Sequence, residues 1–199
     1  MPHNMISLFA RSKGLQKALK LFFLRPDEKF YLREIERLLK EPVASLQRHL
    51  HFLEKQTLIQ SEKIGPLKYF FLNKSHPHFQ ELNTILLKEV RKEKLEKNLQ
   101  KALHILKKNY KPEKVILFGS LGGGRVMPQS DIDLFIVKKN VPRRYWDRVK
   151  ELAPMFKDCD VGIDFVVWTP KELEDKKNHG SFLEEEILRK GRVVYERAA

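Results

Sequence analysis

Asp131 and Asp133 are the residues whose type and spacing most clearly invite chemistry, two positions apart in the run Asp131-Ile132-Asp133-Leu134-Phe135-Ile136-Val137. Aspartate is a poor strand former, yet everything around this pair is apolar and reads as a strand. Alternate side chains of a strand leave the same face, so the two carboxylates project together. Like charges that close repel unless a cation lies between them, and Mg²⁺ favours a site of one or two carboxylates completed by substrate phosphates. Ten residues separate Asp131 from Ser120, and the pair Gly119-Ser120 follows directly on the apolar run Val115-Ile116-Leu117-Phe118. A glycine admits close backbone approach and a serine hydroxyl donates a hydrogen bond, which suits phosphate.

The elements that must carry these residues occupy the rear of a 199-residue chain with 42% hydrophobic content, enough for one generous core or two small ones. Charge favours two. Residues 1–110 hold 22 Lys and Arg against 11 Asp and Glu, whereas residues 111–199 hold 17 against 15. The basic excess of the front half points to a polyanionic partner, nucleic acid before membrane, because no apolar run approaches the roughly 18 residues of a spanning helix. Cys159 is the only cysteine, which excludes an internal disulfide and fits a reducing, cytoplasmic setting. Arg11, Lys13, Lys17 and Lys20 give the start of the chain the charge of a transit peptide. Leu15, Ala18, Leu19 and Phe22 nevertheless follow helical spacing into a folded-domain pattern, and a first core helix is expected there.

In the front half, Arg25-Pro26-Asp27-Glu28 ends that helix, and a second is expected from Phe30-Tyr31-Leu32 to about Leu39. Pro42 suits the start of a third, whose Leu46, Leu50 and Leu53 share one face up to about Gln56. Residues 58–63 and 67–72 read as strands divided by Ile64-Gly65-Pro66, a hairpin. Three helices and a β-hairpin within about 75 residues resemble the winged-helix regulators of the ArsR and MarR kind. That resemblance implies binding of double-stranded DNA, with a helix in the major groove and the hairpin beside it. The residues opposite the buried stripe, Ser45, Gln47, Arg48 and His49, would then face DNA, joined by Lys63 and Lys68 of the wing. A winged helix that mediates only protein contacts is the alternative.

From Phe79 to about Lys108, Leu82, Leu86, Val90, Leu95, Leu99, Leu103 and Leu106 make one helical face, which Asn109-Tyr110-Lys111-Pro112 ends. Its charged remainder reads as solvated surface, with a homodimer seam as the other option. The expected domains are 1–78, a helical linker at 79–110, and 111–199. The rear segment, with its apolar strand, Gly119-Ser120, the ten-residue gap and Ser130-Asp131-Ile132-Asp133, resembles the polymerase-β-like nucleotidyltransferases, especially their minimal members. The resemblance implies an α+β fold with a small mixed sheet flanked by helices. It implies that Gly119, Ser120, Arg125 and Ser130 bind a nucleoside triphosphate, ATP first, and that Asp131, Asp133 and a third carboxylate bind Mg²⁺ or Mn²⁺ and catalyse.

Asp164 in Ile163-Asp164-Phe165-Val166-Val167-Trp168 is the third acid preferred over Asp158 and Asp160, being bracketed by apolar residues on a strand where a lone acid is expensive to bury without a cation. Two metal ions about 3.5 to 4 Å apart would then share Asp131 and Asp133 and promote attack of an acceptor hydroxyl on the α-phosphate. Leu121 and Gly123 depart from the arginines that often follow Gly-Ser in the family, leaving Arg125 as the nearest replacement. With so small a catalytic part, the acceptor can come from a partner protein, as in minimal members that modify a tyrosine of a HEPN-type protein in toxin–antitoxin pairs. Two other readings stand beside this one: a transcription regulator whose rear domain senses nucleotide without turnover, and a transferase that modifies nucleic acid. The pairs His49/His51 and His76/His78 match no zinc-ligand spacing. Arg143, Arg144 and Arg148 open a helix over 145–156 and are open to an acceptor role or none. Glu184, Glu185 and Glu186 read as an exposed helical stretch.

Overall fold

The computed structural model describes residues 12–176 and 187–197, so Glu184–Glu186 fall outside the described residues. The chain divides into two compact units, Met1–Leu87 and Lys88–Ala199. Among the described residues no helix is long and apolar enough to cross a membrane.

The front unit opens with α1 (Lys13–Leu24), whose N-terminus is capped by Ser12, its side chain accepting from Leu15 N at 3.2 Å. Leu15, Ala18, Leu19 and Phe22 lie inward at helical spacing. The chain then forms β1 (Lys29–Tyr31), where a helix start was expected: Phe30 is fully buried between less buried neighbours, a two-residue alternation, and pairs with Phe70. Helix α2 (Leu32–Leu39) ends at Lys40 in the left-handed region, φ 53°, and α3 (Val43–Lys55) starts after Pro42 and buries Leu46, Leu50 and Leu53. Strands β2 (Ile59–Ile64) and β3 (Leu67–Leu72) form an antiparallel hairpin around Gly65, whose φ of +58° suits glycine. The antiparallel sheet has the order β1-β3-β2.

Helix α4 (Phe79–Ile105) continues through a wider π turn over Leu106–Tyr110, and Lys111 (φ 52°) ends it ahead of Pro112. The division at Leu87 falls inside this helix. Leu82 and Leu86 belong to the front core, and Leu95, Leu99, Leu103 and Leu106 to the rear one.

The rear unit is a four-stranded mixed sheet of β4 (Lys114–Phe118), β5 (Ile132–Val137), β6 (Ile163–Trp168) and β7 (Arg192–Glu196), in the order β6-β5-β4-β7. Strand β4 is antiparallel to both neighbours, whereas β5 and β6 are parallel and need a crossover. That crossover holds α6 (Tyr145–Leu152) and a 3₁₀ turn over Ala153–Phe156. Between β4 and β5 lies the single helical turn α5 (Gly119–Gly122), and α7 (Pro170–Lys176) follows β6. Alternation in the strands supplies two cores. Val115, Leu117, Leu134 and Ile136 pack with the α4 leucines, while Ile116, Phe135 and Val137 pack with Ile187 and Trp168 on the other face.

The start of α7 is a capping box. Thr169 Oγ1 accepts from Glu172 N at 3.1 Å while Glu172 Oε2 accepts from Thr169 N at 2.7 Å, and Pro170 sits at the first helical position. Arg148, left open between an acceptor role and none, is buried and structural here. It donates to Pro142 O at 2.6 Å and Val167 O at 2.8 Å, and grips both oxygens of Glu172 at 2.8 Å.

Candidate active site

Strand register assembles the acids. Because β5 and β6 are parallel with Asp133 opposite Asp164, two carboxylates stand side by side on adjacent strands. Asp131 precedes β5 and lies against Gly162, where an added Cβ would come 2.8 Å from the Asp131 Cγ. On the other side of β5, Asp133 is opposite Phe118 and reaches across to Gly119, where an added Cβ would meet its Oδ2 at 2.0 Å. Gly119 holds φ +63° at the entry to α5, so both conformation and space demand glycine. Burial first, and then the charges of Asp164 and Asp131, push the Asp133 carboxyl above its ordinary range.

Helix α4 fixes the two segments that lead into these strands. Arg91 donates through Nε (3.0 Å) and Nη2 (2.5 Å) to Ser130 O, and through Nη2 to Asp131 Oδ1 at 3.3 Å. Two turns on, the buried Asn98 donates to Lys94 O at 2.9 Å and accepts from Asp160 N at 2.9 Å. Asp158 and Asp160 thus belong to the approach to β6, where Lys101 also donates to Asp158 O. Sequence reasoning missed Arg91, Asn98 and Gly162. A signal existed: positions 91, 95, 98 and 102 share one helical stripe with buried Leu95 and Ala102, so a polar residue there needs a partner.

Next to Asp133, a cleft of about 400 Å³ is lined by Gly119, Ser120, Gly123, Arg125, Met127 and Lys190. Its two cationic side chains and bare backbone match an anionic ligand. Ser130, expected among the nucleotide contacts, is buried: its hydroxyl accepts from Met127 N at 2.8 Å and its carbonyl is held by Arg91. A hollow of about 480 Å³ lies in the front unit, lined by Tyr31, Gln47, Leu50, Leu67 and Phe70 among others.

Among the described residues no group of three or more His, Cys, Asp and Glu side chains is gathered to hold a metal ion by itself. The opposed pair Asp133 and Asp164 fits a divalent cation in the other way open to magnesium, through one or two carboxylates with substrate phosphates completing the shell. The crowding felt by Asp133 is the kind of charge a cation relieves.

In the front unit, Gln47, Arg48 and Lys63 are exposed as expected. Arg48 Nη2 donates to Ser45 Oγ at 3.3 Å. Lys68 pairs with Glu54 at 3.0 Å. His49 packs toward α1, where an added Cβ on Gly14 would lie 2.8 Å from its Nε2. It sits roughly 70° from the centre of the buried stripe at 100° per residue, on the flank of α3 rather than its outer face.

Residues 100–199, half of the chain, match the family described as polymerase β, nucleotidyltransferase. The chain belongs to this family, whose members typically use divalent metals and nucleoside triphosphates. No curated protein matches it in sequence. Among solved structures, a candidate nucleotidyltransferase from Sulfolobus solfataricus is similar over 56% of this chain and 88% of its own, at 17% identity and a TM-score of 0.42. Reduced HlyU from Vibrio cholerae is similar over 41% of this chain and 77% of its own, at 18% identity and a TM-score of 0.33. At those scores neither likeness bears on the fold or the activity.

Proposed function

We propose that the rear unit transfers a nucleoside monophosphate from a nucleoside triphosphate to an acceptor hydroxyl, and that the front unit is a winged helix that binds double-stranded DNA. The observation that carries the first part is Asp133 standing between Gly119, which follows β4 on one side, and Asp164 on β6 on the other. Divalent ions shared among Asp131, Asp133 and Asp164, two in the full reaction, would neutralise the crowded carboxylates and lower the pKa of the acceptor hydroxyl.

The protein's own groups do the rest. Gly119 lets the triphosphate approach the backbone, the Ser120 hydroxyl donates to a phosphate oxygen, and Arg125 and Lys190 supply positive charge along the cleft. Asp164, exposed on β6, takes the proton of the acceptor hydroxyl. The acceptor oxygen bonds to the α-phosphorus as the bond to the bridging oxygen breaks, and pyrophosphate leaves. Release of pyrophosphate from labelled ATP, lost in Asp131→Ala plus Asp133→Ala, tests this. Nucleotide bound by the wild type without any turnover, across triphosphates and acceptors, would favour a sensor instead.

The second part is supported by the three helices and the hairpin of the front unit, and by the exposed Gln47 and Arg48 on α3 and Lys63 on β2. Arg48→Ala should weaken duplex binding in a gel shift and lower its salt dependence by about one phosphate contact. An unchanged salt slope would leave the front unit without a DNA role.

A further inference from the structure

We infer that Arg143, Arg144, Tyr145 and Trp146 form a platform that holds a single-stranded nucleic-acid end as the acceptor. This rests on the transfer reading above. The sheet order gives the aspartates two flanks. On one, β4 runs into Gly119 and Ser120 and the cationic cleft. On the other lies β6 with Asp164, and no described strand pairs with its outer edge. Phosphate-holding groups occupy the first flank, which leaves the second to the acceptor.

The platform stands on that second flank. The Tyr145 hydroxyl reaches the carbonyl of Phe165, the residue after Asp164, at 3.5 Å, placing the first turn of α6 beside β6. Trp146 is 71% exposed and Tyr145 45% exposed, and their rings meet edge to face with centroids 5.6 Å apart. An indole that open forgoes most of the gain that burial would bring, so its exposure suits a partner with flat apolar surface. Arg143 and Arg144 are exposed too, and no carboxylate among the described residues forms an ion pair with either. Arg148, one turn further, is instead buried and held by Glu172. Adjacent guanidinium groups for phosphates and open rings for bases are what a single strand requires. A duplex keeps its bases stacked inside, out of reach of Trp146.

The test uses the whole chain and a fluorescent single strand of about a dozen nucleotides, within the span one such site covers. Excess unlabelled duplex occupies the front unit. Trp146→Ala and the double variant Arg143→Ala, Arg144→Ala should each weaken single-strand binding about tenfold, as loss of one stacked base does. Trp146→Phe should stay close to the wild type, and duplex binding should not move in any variant. Unchanged single-strand affinity in both alanine variants, or equal losses on duplex and single strand, overturns the inference. So does labelled nucleotide arriving on protein as efficiently in Trp146→Ala as in the wild type. If the binding losses appear but no pyrophosphate is ever released, the platform stands and the transfer reading fails.

Discussion

The carboxylate of Asp131 occupies the space that any side chain on Gly162 would need, with an added Cβ 2.8 Å from both its Cγ and its Oδ1. One strand's leading residue is therefore bare so that its neighbour's acid can stand in the site. No chemistry on Gly162 itself is required for this.

Gly162→Ala should displace Asp131, lower stability by about 1–3 kcal/mol as overpacking does, and reduce nucleotidyl transfer at least tenfold, roughly 1.4 kcal/mol of barrier. Gly123→Ala is the control for stability alone, since an added Cβ there would sit 3.4 Å from Gly119 O, a contact that a small shift accommodates. Urea unfolding of both variants and pyrophosphate release by Gly162→Ala check this, and equal losses of stability would refute the steric account.

Arg91→Met should destabilise the rear unit by about 1.5–3 kcal/mol, because it removes charged hydrogen bonds to a carbonyl left without that partner. Arg91→Lys should recover less than half, since an ammonium cannot reproduce the fork that spans Ser130 O and Asp131. Denaturant midpoints of the three proteins measure it, and full rescue by lysine would show that charge alone matters.

The Arg148 guanidinium holds the Glu172 carboxyl down to about 2, with the capping bonds from Thr169 helping. A carboxylate whose folded pKa is depressed contributes fully above its unfolded value, near 4.3, and that contribution is lost as pH falls toward about 2. Glu172 is 40% exposed on its side chain, so Glu172→Gln should cost only about 1–2 kcal/mol at pH 7 after screening by solvent. The gap between variant and wild type should narrow below about pH 4. Urea midpoints at pH 7 and pH 3 decide it; a gap that stays constant would mean the pair is not what holds α7.

Tyr110 is buried, its hydroxyl has no hydrogen-bond partner among the described residues, and burial pushes that hydroxyl up to about 12. Tyr110→Phe should therefore leave stability unchanged or raise it by about 1 kcal/mol. The ring, over which Lys138 Nζ sits at 5.0 Å, would remain. A clear loss in thermal midpoint would reveal a partner for the hydroxyl.

What the chain discloses unaided follows from where a residue contradicts its surroundings. Asp133 and Asp164 stand out because acids interrupt apolar strands, and Asp131 because it leads straight into one; register then brings Asp133 and Asp164 together. Arg91 is lost among Lys88, Lys92, Lys94 and Lys97, since composition cannot tell a cation reaching inward from its solvated neighbours. Strand β1 is three residues long and exists through its pairing with β3, a long-range fact that local periodicity does not carry. His49 illustrates a smaller error. By counting it lies on the flank of α3 and not on its outer face; the imidazole packs toward the bare Gly14, and burial lowers its basicity.

Strand β4 delivers Gly119, and its far margin is covered by β7, with Leu117 beside Arg192 and Val115 beside Tyr195. During synthesis, a ribosome that has passed Trp168 has already supplied all three acids, yet the strand behind the phosphate turn still lacks one neighbour. Until residues 192–196 emerge, β4 offers an open hydrogen-bonding row of the sort that recruits foreign strands. Maturation of the rear unit thus waits on β7, and a nascent chain stalled before it would be the form most in need of a chaperone.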